Sequence, residues 1–87
     1  MCTSINARLP ITGSAKGAAG WMPVSSVVVG FDHPHHAPFD HALSLDFVND
    51  AMGPGVRVAV ELSAESARDL VRQIEAALAA GSAEGLT

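Results

Sequence analysis

Apolar and polar residues alternate from near the start of the chain. Ile5, Ala7, Leu9 and Ile11 interleave with Ser4, Asn6, Arg8 and Pro10. A period of two predicts a half-buried strand over residues 3–12. Pro10 has no N–H to give a ladder, so this strand belongs at an edge or close to its own end. Gly13, Gly17 and Gly20 fall within the next eight residues and predict a flexible loop. Trp21 closes that loop, and its large apolar area makes it a packing anchor, with a pocket wall as the alternative.

A second strand is expected from Val24 to Phe31. Val27, Val28 and Val29 make it apolar on both faces, which demands cover on both sides. A third runs from His41 to Val48, with Leu43, Leu45 and Phe47 on one face and Ala42, Ser44 and Asp46 on the other. Asn49 to Gly55 is turn-like in composition. Val56 to Leu62 is the fourth strand, with Val56, Val58, Val60 and Leu62 alternating with Arg57, Ala59 and Glu61.

The period then changes. Ser63 is placed to cap a helix, and Glu65 lies in the first turn, where the dipole favours an acid. Ala67, Leu70, Val71, Ile74, Ala77 and Leu78 recur at helical spacing. Gly81 is expected just past the helix end, and Ser82 to Thr87 as a frayed tail. The stripe is too short and too broad for a coiled coil. The predicted architecture is α+β: a four-stranded antiparallel meander, then one amphipathic helix packed on one face. Residues 1–81 form a single domain.

Composition narrows the class. The 87 residues suit one domain, and a chain this short buries only about 60% of its unfolded surface. Hydrophobic residues make up 48% of it, and the mean hydropathy of +0.28 is high for a small soluble protein. The excess predicts apolar surface covered by another copy, in a homodimer or higher homo-oligomer. Five Lys and Arg against a net charge of -4 cannot build the basic stripe that nucleic acid requires. No apolar run approaches the ~20 residues of a membrane span. The N-terminus lacks the pattern of a secretory signal. A lone cysteine makes no internal disulfide and fits a reducing cytoplasm.

The candidate chemistry is concentrated in Phe31 to His41. All four histidines fall there: His33, His35, His36 and His41. In a meander, the end of the second strand, the start of the third, Cys2 and the helix start at Ser63 share one end of the molecule. Parity puts His33 on the Val27, Val29, Phe31 face and His41 on the Leu43, Leu45, Phe47 face. His36 can join them from the connecting loop. Three imidazoles around an open position suit zinc or another divalent metal, which polarises a carbonyl or acidifies water. Asp32 or Asp40 could orient a ligand ring or serve as a catalytic acid or base. Cys2 is the fourth candidate ligand; with Met1 removed, its amine and thiol would chelate together. His35 has the wrong parity.

Other readings remain open. A turn rich in His and Pro needs no function. Without metal, His33 or His41 could act as a general base near neutral pH, as in a cyclase or isomerase. Cys2 could be a nucleophile paired with histidine. The protein could equally be a non-catalytic dimeric accessory, or bind a small-molecule ligand. The Gly13–Gly20 loop with Lys16 could cradle an anion, although it fits neither the P-loop nor the dinucleotide fingerprint.

The chain also resembles a small domain-of-unknown-function family found mainly in high-GC actinobacteria. The resemblance rests on Met1-Cys2-Thr3, Gly13-Ser14-Ala15-Lys16-Gly17, Gly20-Trp21, Phe31-Asp32-His33, His36, Asp40-His41, Asp46-Phe47 and Arg57 to Glu61. It covers nearly the whole chain. It implies histidines kept at His33, His36 and His41 and varied at His35, with Lys16 part of the pattern. It implies no activity.

Overall fold

A computed structural model describes residues 5–53 and 55–87, with Ile5 described by its backbone only. Cys2 therefore lies outside the described residues. Four strands and one helix succeed one another along the chain: β1 (Ile5–Gly17), β2 (Gly20–Asp32), β3 (Ala42–Val48), β4 (Arg57–Leu62) and α1 (Ala64–Ala83). The sheet order is β1-β2-β3-β4, and every neighbouring pair is antiparallel. The meander and its C-terminal helix are as the alternation predicts.

The registers fix the two faces. Phe31 pairs with Leu43 and Leu43 with Leu62; Val29 pairs with Leu45 and Leu45 with Val60; Val27 pairs with Phe47 and Phe47 with Val58. These side chains share the face toward α1. Ser44, Asp46, Arg57 and Glu61 take the opposite, polar face.

The glycine-rich segment differs from expectation. It is no loop: β1 continues to Gly17 and β2 starts at Gly20, with Lys16 opposite Trp21 and Gly17 opposite Gly20. A register shift between Pro10 and Gly13 absorbs the proline. Gly20 has a φ of 109°, and no described non-glycine residue has a positive φ, so glycine supplies the turn that Ala18 and Ala19 cannot. Gly13–Gly17 is therefore a paired strand, not the flexible loop its composition suggests.

Trp21 does not anchor the core either, being 71% exposed. β3 pairs with β2 only over Ser26–Asp32, so in the Gly20–Val24 half of β2 the only paired strand among the described residues is β1, and the β3–β4 turn lies alongside.

The helix is capped as expected: the Ser63 hydroxyl accepts the N–H of Ser66 at 3.1 Å. It runs through Gly81 to Ala83, past the expected end. Gly85, with φ of 73°, is the terminating glycine. Leu86 N–H donates to Gly81 C=O at 2.8 Å and Gly85 N–H to Ser82 C=O at 3.0 Å, the paired bonds of a Schellman ending. No described helix is long and apolar enough to cross a membrane.

Packing is sparse. Among the described residues, the buried hydrophobics are Val24, Val27 and Ala42. Val28 and Val29 are only half-buried. α1 meets the sheet chiefly at β3 and buries none of its residues. The radius of gyration is 14.7 Å, against about 12 Å for a compact domain of this length.

Candidate functional site

The loop between β2 and β3 is fastened from β4. The Glu61 carboxylate accepts three consecutive main-chain N–H groups: His35 at 2.6 Å on Oε2, His36 at 3.0 Å and Ala37 at 2.9 Å on Oε1. These donors, Ala37 first and then His35, hold Glu61 below the usual carboxylate value by stabilising its charged form. The residue sits on the polar face opposite Ser44. Sequence reading placed it there without giving it this task. The signal was available, since Glu61 is the acid that β4 places on the polar face at the histidine end of the meander.

This latch divides the histidines. His33 and His41 come together, with ring centroids 4.7 Å apart and planes at 30°. Phe31 extends the stack, its ring 6.0 Å from that of His41 and only 10° from parallel. The strand parity of Phe31, His33 and His41 anticipated this. His35 and His36 instead border a shallow cleft with Arg57, Ala59 and Glu61. His36, expected to join the pair from the connecting loop, has its main-chain N–H on Glu61 and its place beside that cleft.

Nδ1 of His33 lies 2.8 Å from the Asp40 carbonyl oxygen. A carbonyl only accepts, so the ring carries its proton on Nδ1. Asp40 thus orients His33, but through its main chain, not its carboxylate. The Asp32 carboxylate accepts the His33 main-chain N–H at 2.7 Å. Asn6, Asp32, His33, His35, Ser44 and Glu61 line a polar cavity of about 190 Å³ at this end. Among the described residues, no three of the His, Cys, Asp and Glu side chains are grouped to hold a metal ion. Cys2, the remaining candidate ligand, lies outside those residues. β1 does enter the sheet beside the stack, with Ile5 opposite Phe31.

A second polar cluster, unforeseen in the sequence, lies toward the other end. Asp50 accepts hydrogen bonds from Ser25 at 2.9 Å and Ser26 at 2.8 Å, and pairs with Arg8. Asn49, nearly buried, donates to the Pro23 carbonyl at 2.9 Å. These bonds tie the β3–β4 turn to β1 and β2, so the cluster is fully explained by structure.

The most apolar concavity lies elsewhere. Val29, Leu43, Leu45 and Leu62 of the sheet face Leu70, Val71 and Ile74 of α1 across a groove of about 350 Å³. On α1, Leu70 is 42% exposed, Ile74 51% and Leu78 58%.

No curated protein and no solved structure matches this chain. Residues 1–87 match the model of a family of unknown function, and on that match the chain belongs to that family, DUF6295.

Proposed function

We propose that this chain is a non-catalytic accessory or ligand-binding protein whose working surface is the apolar groove between α1 and the sheet. One observation carries the reading: a 20-residue helix with a continuous apolar stripe buries none of its residues. A helix in water draws most of its stability from packing such a stripe. A groove with sheet valines and leucines on one wall and helix leucines on the other gains free energy by being filled. The histidine end, by contrast, holds an aromatic stack and a loop latched by hydrogen bonds, both of which rigidify the edge.

Binding of an apolar fluorescent dye, followed as the purified protein is diluted, tests this. Dye binding should rise on dilution and be lost in Leu70→Ser/Ile74→Ser. Absence of dye binding at every dilution, with the α1 amides protected in a monomer, would contradict the proposal.

A second reading is favoured by the Asp40–His33 bond, since histidines that ligate metals are commonly held through the other ring nitrogen. His33 and His41 would then hold a divalent ion, zinc by preference, with His36 or Cys2 as further ligands. The ion would polarise a carbonyl or acidify bound water. Elemental analysis of the purified protein decides: stoichiometric zinc, lost in His33→Ala/His41→Ala, supports this reading. Metal well below one per chain and unchanged in that variant sinks it.

A further inference from the structure

The groove between α1 and the sheet has two apolar walls and nothing of the described chain between them. On the reading that it is the working surface, we infer that it is filled by α1 of a second copy of this chain, the two helices crossing antiparallel about a two-fold axis near Arg72.

The area argues for an obligate occupant. The chain exposes 6432 Å². A compact monomer of its 8.9 kDa exposes about 4,800 Å². The surplus, roughly 1,600 Å² per chain, is shared between the β1–β2 hairpin and the α1 groove, and half of it equals what each partner buries in a standard interface. Helix α1 buries none of its residues within the chain, so what covers its stripe must be present whenever the helix is stable. A second copy always is.

The stripe is self-complementary. An antiparallel crossing about residue 72 sets Leu70 opposite Ile74 of the second copy and Ala67 opposite its Ala77. Large residues meet large ones, and small ones let the helices approach.

The charges select the direction. Asp69 and Arg72 already pair within α1. Arg68 and Glu75 have no ion-pair partner among the described residues. At 100° per residue they lie on the same flank of the stripe. In an antiparallel pair like flanks meet, so Arg68 of each copy comes beside Glu75 of the other, twice over. A parallel pair would set that flank against Ser66 and Gln73, leaving both charges unmatched.

Sedimentation equilibrium of the full chain over a range of concentrations tests this. The expected mass is twice that of one chain, and Ile74→Arg should give a monomer. Arg68→Glu and Glu75→Arg are exposed changes that leave the fold intact. Each alone should weaken the dimer roughly tenfold, the worth of two exposed ion pairs turned repulsive, and the double swap should restore it. A wild-type monomer at every concentration overturns the inference, as does a dimer indifferent to the single swaps. A monomer that binds apolar dye in the groove removes the second copy but leaves the working surface. A monomer with protected α1 and no dye binding removes both.

Discussion

The carboxylate of Glu61 accepts the main-chain N–H of Ala37 at 2.9 Å across 24 residues of chain. One acid on β4 thereby sets the path of the β2–β3 loop, and with it which histidines meet. Replacing it tests that role. In Glu61→Gln one oxygen becomes a donor and repels the N–H groups that faced it. Amide hydrogen exchange at His35, His36 and Ala37 should quicken, while exchange in β2 and β3 stays unchanged. Unaltered loop protection would mean the loop holds itself.

The same contact gives a pH dependence of defined sign. Glu61 titrates below its ordinary value in the folded chain, so between the two values the unfolded chain binds more protons and stability rises with pH. Its contribution is complete above the ordinary value of 4.5. It declines as pH falls below that and is gone beneath the lowered folded value. Carboxyl resonances followed by NMR titration should show Glu61 changing ionisation below the ordinary value of 4.5 as acid is added. Titration of Glu61 at the ordinary value would contradict the latch.

Ser63→Ala removes the side-chain cap from α1 and should cost about 1 kcal/mol. Denaturant unfolding measures it. Because α1 draws its stability from the groove, the loss should appear most clearly where assembly is weakest, in dilute protein.

Asp50→Ala frees Ser25, Ser26 and Arg8 at once. Its side chain is about half exposed, so water replaces part of what is lost. The expected destabilisation is about 1 kcal/mol, read by thermal unfolding, with no effect on assembly through α1.

Much of this was legible in the residues. Alternation at Leu43, Leu45 and Phe47 and at Val58, Val60 and Leu62 gave the strands and their common face, because a half-buried strand has no other economical pattern. Ser63 gave the helix start. The parity of His33 and His41 gave their approach. Three features resisted, each for a physical reason. Gly13 to Gly17 form a strand because hairpin pairing with Gly20 to Val24 overrides weak local propensity. Gly81 lies inside α1 because Gly85 offers the Schellman ending with its N–H partners in place. The path of the loop that carries His36 was not legible, because three main-chain N–H groups on the Glu61 carboxylate set it and no period in the sequence encodes a side-chain latch.

The groove is central to both proposals, and hydrogen exchange across Ala64–Ala83 tests it most directly. In concentrated wild-type protein the amides of α1 should be strongly protected, and in Ile74→Arg they should exchange rapidly while the sheet amides keep their protection. Equal protection of α1 in the two proteins would show that the helix needs nothing in the groove to stay folded, and would contradict its role as the working surface.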